Sequence, residues 1–529
     1  MIFYIKKNYL FFIFLTIYTL IGAYLSLTTG ISSDELHEQK NWSINFLAIK
    51  DFINTGNYEN LINYRDKYHG IAFQFISQPI QYFIKEFVAN LNNVTEYGGL
   101  LISKHLVVFL IFCISGIFFY LISLKITNDI KFSFLSSCVY LLYPYLFGHA
   151  QFNPKDIPFL SFWLINTFFS IKLIEDLYLK RNIKKSYLIL LSFSTAFLIS
   201  IRILGILIFI QYLVSLLIYF EKTKISLFIF LKKNYKNLLI FVISLLIFIY
   251  ILNPIFWHNP FEFINSIKWM GKYPQNICTL TNGDCLYSLN LPSNYYFTWL
   301  FFKLPILILV GYCLFPFVEK KIFNNDIRTI YYGTIIIIVP LLIVIFILKG
   351  VALYDELRHI IFIFPLIFLI SLTNIFYFLK KQIFYFMSFV LILFFIFENI
   401  NLNPYQYTWL NSFAKFDKIE KNFEVDYWGL SNKNIQKKII EFTDKNSIKK
   451  TTCIYGDPYL KEFLLPHNFN CFKRYTQVDS AKIRPFFAFK SLRNVKRSNP
   501  KDCKLVWNET FKYSFYEKNI SAATLWYCY

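Results

Sequence analysis

Apolar runs of about 17 to 25 residues recur from the start of the chain to about residue 400, the length a helix needs to cross roughly 30 Å of hydrocarbon. Nothing else in the sequence limits the fold as strongly, because backbone polar groups inside a bilayer have to be satisfied within the span itself. Spans are predicted near 9–28, 100–124, 131–148, 157–178, 186–201, 203–220, 238–256, 298–318, 330–348, 359–379 and 382–399, about eleven in all. A chain of 529 residues that is 56% hydrophobic and 21% aromatic is not a soluble globule. It reads as an all-α polytopic membrane bundle. Lys6 and Lys7 precede the first run as they would a signal peptide. That run is longer than an ordinary signal core and lacks an A-x-A site, so an uncleaved anchor is expected.

Short cytoplasmic loops carry an excess of Lys and Arg. With the N-terminus inside, Lys125/Lys131, Lys180/Arg181/Lys184/Lys185, Lys222 to Lys236, Lys320/Lys321/Arg328 and Lys380/Lys381 all fall on the cytoplasmic side. The intervening loops mix acids with isolated bases. An odd span count then places both residues 29–99 and the tail from about 400 outside. The formal charge of +22 is therefore largely topology, and no nucleic-acid partner is implied. The basic stretch "KSLRNVKRSNPK" (490–501) suits either contact with anionic headgroups or glycan, or a plain solvated surface.

Three parts follow. Residues 1–400 form a membrane domain that includes the external loop 29–99, and 401–529 form an extracytoplasmic C-terminal domain. The loop holds two amphipathic stretches, "NWSINFLAIKDFINTGNY" and "HGIAFQFISQPIQYFIKEFVANL", expected along the outer membrane surface. The tail alternates a predicted strand ("NFEVDYWGL"), helix ("NKNIQKKIIEFTDKN"), strand ("KTTCIYG") and short helix ("DPYLKEFLL"), a small α/β module. Cys278 and Cys285 bracket an Asn-Gly turn outside, and Cys453, Cys471, Cys503 and Cys528 lie in the tail, as disulfides would. A zinc site is the alternative there.

Candidate chemistry gathers in the external loops. In "ISSDELHEQK", Ser32-x-x-Glu35 reads as a capping box. Asp34, His37 and Glu38 stand at i, i+3 and i+4 on one helical face, a set that suits a general base or, alternatively, metal ligands. "GHAQFNPKDIPF" offers Asn153, Lys155 and Asp156, either a proline-stiffened cap or a polar substrate clamp. Arg202, in "LISIRILG", needs an anionic partner or the interface. His258 lies in "NPIFWHNPFEF". "LYDELRHIIFIFP" sets Tyr354, Arg358 and His359 before a span, where Arg358 can grip a phosphate with its planar fork or serve only as a cap.

There is no P-loop, no G-x-S-x-G and no H-E-x-x-H, and the 16 glycines include no phosphate-binding loop. Ionisable residues gather at one face and are sparse within the spans, which argues against a channel or pump. A polar external site above an apolar bundle suits an enzyme whose donor is held by a lipid. A sugar transferred there would arrive on a polyprenyl phosphate.

The acidic pair Asp34-Glu35 after a first span, together with "FGHAQFNPKDIPF", "YDELRHIIFIFP" and "NPYQYTWLN…FEVDYWGLS", resembles the GT-C glycosyltransferases, specifically the protein O-mannosyltransferase and aminoarabinose-transferase branch and a bacterial group within it. The chain departs from that pattern at Glu356, where a glycine would stand, and at Asn403, where a histidine would stand. The resemblance implies a GT-C fold in a bacterial inner membrane, a polyprenyl-phosphate sugar donor, an extracytoplasmic acceptor and no required cofactor, with a divalent metal still possible. It implies Asp34 as general base and Glu35 as a second catalytic residue. His37, Glu38, Asn153, Lys155, Asp156, Arg202, His258, Tyr354, Arg358 and His359 would bind substrate. A lipid or glycan flippase, and a membrane-anchored binding protein, are the rival classes.

Overall fold

Each long apolar run needs a way to start and stop, and the chain supplies both. In the computed structural model, which describes residues 8–271, 275–414, 419–481, 484–491, 499–516 and 518–529, Thr95, Asp129, Ser226 and Asn325 each accept a backbone N–H at a helix start. Lys6, Lys7 and residues 492–498 of the basic tail stretch lie outside the described residues. In chain order the helices used here are α1 (Tyr9–Leu27), α2 (Glu35–Thr55), α3 (Ala72–Asn92), α4 (Glu96–Thr127), α5 (Ile130–Leu142), α6 (Pro144–Ala150), α7 (Asp156–Tyr178) and α8 (Lys185–Ile201). They continue with α9 (Ile203–Thr223), α10 (Leu227–Leu252), α11 (Asn294–Lys303), α12 (Ile306–Cys313), α13 (Phe315–Ile322), α14 (Asp326–Leu348), α15 (Arg358–Phe378) and α16 (Lys381–Leu402).

Among the described residues eight helices are long and apolar enough to cross a membrane, or nine if the bent pair α5–α6 counts as one span. The sequence predicts about eleven, and the differences have identifiable causes. The run 131–148 bends by 63° between Tyr143 and Pro144. Tyr143 takes φ −58° and ψ 117°, the extended conformation that a following proline imposes. The run 298–318 is cut into α11, α12 and α13 at Pro305 and Pro316. The helix α8 is apolar but only 17 residues long.

The segment 29–99 folds inside out. In α2, Glu38, Gln39, Asn41 and Asn45 are buried while Phe46, Leu47 and Ile53 are exposed. In α3, Gln74, Ser77, Gln78 and Gln81 are buried while Tyr82, Phe83 and Phe87 are exposed. The polar faces meet each other, with Gln78 Nε2 donating to Gln39 Oε1 at 2.7 Å. An aromatic outer face with a polar inner one is what a helix against lipid would show.

After α16 the chain stays in the bundle core through Tyr405, Trp409, Phe423, Trp428 and Leu430. The predicted strand at 422–430 is not one. Its alternating apolar residues insert into the helical core, and its backbone makes a single bridge, Phe423 to Thr281. The expected helices follow as α17 (Asn432–Lys445) and α18 (Leu460–Leu464). They pack on a five-stranded sheet of order β4-β3-β5-β7-β6. Its strands are β3 (Cys453–Gly456), β4 (Phe472–Arg474), β5 (Phe486–Ser491), β6 (Cys503–Phe511) and β7 (Ile520–Cys528), with β4, β3 and β5 parallel and β7 antiparallel to β5 and β6. A hairpin, β1 (Cys278–Thr281) and β2 (Asp284–Tyr287), completes the set. The six loop and tail cysteines pair as Cys278–Cys285, Cys453–Cys471 and Cys503–Cys528, which leaves none of them for zinc.

The loop and the tail meet at one end of the bundle. Ser33 N donates to Trp428 O at 3.0 Å, Asn432 Nδ2 to Ile31 O at 2.8 Å, and Lys433 Nζ to Asn92 Oδ1 at 2.7 Å. Burial lowers the Lys433 ammonium to about 8.

Candidate active site

Three ion pairs join four segments that lie far apart in the sequence. Asp34, at the start of α2, accepts from Arg358 Nη1 at 2.7 Å. Glu38, one turn further on, binds Lys155 Nζ at 2.9 Å and accepts from Gln74 Nε2 at 2.8 Å. Asp156, the first residue of α7, binds Arg202 Nη2 at 2.5 Å and accepts from Asn153 Nδ2 at 2.9 Å. Arg202 therefore has the anionic partner its position demands, within the protein. Gly70 allows this convergence: a Cβ there would lie 2.1 Å from the Ser200 carbonyl oxygen.

The electrostatics differ from pair to pair. Burial would raise the Glu38 carboxyl, but the Lys155 ammonium outweighs it and the group is held at about 2. Burial, with Lys155 adding to it, lowers His69 to about 3, and its ring packs edge-on against His37 at 5.2 Å. Arg358 is sandwiched between the rings of Tyr354 (4.8 Å) and Trp428 (4.6 Å). Its Nη2 reaches Asp355 at 3.3 Å, and its Nε has no hydrogen-bond partner among the described residues. Burial pushes the Tyr354 hydroxyl up, with Arg358 and, more weakly, Arg202 opposing. Of the three acids, only Asp34 is substantially exposed: 41% of its side chain is accessible, against 5% for Glu38 and 2% for Asp156.

The remaining candidates divide. His37 shares the Asp34 face but turns to Asp66, 4.0 Å away. His359 packs against Tyr354 at 4.4 Å, and its buried Nδ1 is unpartnered among the described residues. Glu35 is fully buried on the other side of α2, where Oε1 accepts Ser32 N–H at 2.7 Å and meets His105 Nε2 at 2.9 Å. It anchors the helix start to α4 and presents no accessible surface. His258 is exposed and faces Tyr58, with ring centroids 6.2 Å apart, apart from the three pairs.

Several participants escape sequence reasoning. Lys104 and His105 sit inside a span, and Lys104 Nζ donates to Gln39 Oε1 at 3.4 Å; two adjacent ionisable residues in an apolar run are the signal that marks them. Lys303 and Glu356 form a fully buried pair at 2.8 Å, with the ammonium 4.5 Å from the Tyr145 ring centroid. Glu356 takes φ +65°, left-handed backbone where a glycine would be at ease. Burial pushes its carboxyl up to about 7 against the pull of Lys303. The hairpin supports the same turn, Thr279 Oγ1 accepting from Asp355 N at 2.9 Å. Among the described residues no group of three or more His, Cys, Asp or Glu side chains is placed to hold a metal ion.

No family model matches the chain, and no curated protein matches it. Among solved structures the chain is similar to a crystal structure of ArnT from Cupriavidus metallidurans in the apo state, at 11% identity over 97% of each chain with a TM-score of 0.42. That likeness is too distant to transfer a site or an activity.

Proposed function

We propose that the protein is an integral-membrane glycosyltransferase of GT-C type that moves a sugar from a polyprenyl phosphate to a hydroxyl of an extracytoplasmic acceptor. The observation that carries this reading is the Asp34–Arg358 pair, an accessible carboxylate 2.7 Å from a ring-clamped guanidinium at the end of an apolar bundle. Asp34 takes the proton from the acceptor hydroxyl as its oxygen bonds to the anomeric carbon. The bond from that carbon to the phosphate oxygen breaks, and the polyprenyl phosphate leaves with the electron pair, inverting the configuration. Arg358, whose Nε is unfilled, stabilises the charge that develops on the leaving phosphate. Lys155 and Arg202 hold the loops that frame the sugar, and Glu35 positions Asp34 through the start of α2. The quoted sequence blocks that resemble the GT-C family support the same assignment.

The test is to incubate purified protein in lipid with a panel of polyprenyl-phosphate sugars and to measure free polyprenyl phosphate. Release by wild type that collapses in Asp34→Asn is the expected result. Release equal in both removes Asp34 as the base, and no release from any donor removes the transferase reading.

A further inference from the structure

We infer that a cavity between the C-terminal sheet and the start of α2 is the acceptor subsite and that it takes a carbohydrate, an assignment that rests on the transferase reading above. The parallel strands β3, β4 and β5 end at Gly456, Arg474 and Ser491, and all three residues line a cavity of about 220 Å³. Ligands of open α/β sheets bind beyond the carboxyl ends of parallel strands, where backbone groups and short loops converge. The facing wall comes from the bundle: Ser33, adjacent to Asp34, and Trp428, the ring that clamps Arg358. Asp34, the proposed base, follows Ser33 in the chain and does not itself line the cavity.

A second observation points to a ligand. Ser33 Oγ and Trp428 Nε1 are buried and have no hydrogen-bond partner among the described residues, and both residues line this cavity. Buried polar groups are nearly always satisfied, so two orphans on residues that line one cavity call for an acceptor, which the indole N–H requires and the serine hydroxyl can also use. A sugar hydroxyl supplies one. The rest of the lining favours a sugar ring, with Trp428, Tyr459 and Tyr475 offering apolar faces and Asp457 a half-buried carboxylate. Gly429, at φ +73°, keeps that carboxylate accessible, since a Cβ there would stand 3.2 Å from Asp457 Oδ2.

A peptide acceptor fits less well. Extended peptides add to a sheet edge, whereas this cavity lies at strand ends, and the nearby edge strand β4 has only three residues. The volume is also below the roughly 300–1,000 Å³ of cavities that enclose drug-sized ligands, and suits a single sugar ring.

The full-length protein in lipid nanodiscs can be titrated with the methyl glycosides of mannose, galactose and N-acetylglucosamine, and separately with a blocked Ser-Thr peptide, by saturation-transfer NMR. At least one glycoside should bind, and Thr476→Trp, which places a large ring at an exposed lining position, should weaken it at least ten-fold. Asp457→Ala should weaken it as well. Both variants should keep the wild-type unfolding midpoint. Absence of glycoside binding at millimolar concentration, binding indifferent to Thr476→Trp, or binding of the peptide alone overturns the subsite. Glycoside binding lost in Thr476→Trp, in a protein that releases polyprenyl phosphate from no donor, retains the carbohydrate site and removes the transferase.

Discussion

The helix α7 carries a charged cluster at each end. Asp156 opens it, and Glu175 lies 19 residues later, about 28 Å along the axis. Both Glu175 oxygens are partnered within the protein: Lys125 at 2.8 Å, Tyr331 OH at 2.8 Å, and Lys172 and Arg181 each at 3.8 Å. Around Asp156 the pairs are as short, yet Arg358 Nε, His359 Nδ1, Ser33 Oγ and Trp428 Nε1 are left over and Asp34 is accessible. Buried ion pairs alone do not mark a site, since they add little net stability and both ends have them. What separates the two ends is unfinished hydrogen bonding beside an exposed carboxylate.

That contrast can be broken by substitution. Asp34→Asn should lower turnover by about 10²–10⁴-fold, the usual worth of a positioned base, with the thermal unfolding midpoint unchanged. A midpoint that falls with activity would make Asp34 structural. Arg358→Lys keeps the charge but loses the planar fork between two rings, and turnover should fall by about 10²–10³-fold; near-wild-type turnover would show that any cation suffices. At the other end Glu175→Gln should cost about 1–3 kcal/mol of stability by leaving buried partners unsatisfied. Turnover per folded molecule should hold, and a selective loss of turnover there would erase the distinction between the two ends.

A pH series sharpens the comparison further. The Glu38 carboxyl sits at about 2 in the folded protein against an ordinary 4.5. A depressed folded value adds stability above the ordinary pKa and loses it as pH falls through the folded one. The wild-type unfolding midpoint should therefore fall more steeply than that of Glu38→Gln between about pH 4.5 and 2. Parallel curves would mean that Lys155 does not hold the carboxylate ionised.

Much of this architecture is legible before any coordinates. The long apolar runs, the helix at 432–446 and the strand at 450–456 follow from local pattern, and each loop acid that matters stands beside a membrane exit. Partner identity is not legible. Nothing near Glu38 in the chain points to Lys155, 117 residues away, and nothing near Arg358 points to Trp428. Alternation over 422–430 mimics a strand, yet every residue from Phe423 to Leu430 is buried, because a segment threaded into a helical core is surrounded on all sides. The polar faces of α2 and α3 look like surfaces for water, since sequence periodicity shows that two faces differ but not which one turns inward. Proline positions in 131–148 and 298–318 carried enough information to break both runs.

The Cys453–Cys471 disulfide ties the first residue of β3 to the residue preceding β4, so the two strands that present Gly456 and Arg474 to the cavity are stapled before any visitor arrives. A pocket built on such a frame loses little chain freedom when it is filled, and preorganisation of this kind appears as slower departure of the guest. On the subsite reading the same staple ties recognition to redox state, because in a reducing compartment the frame would slacken.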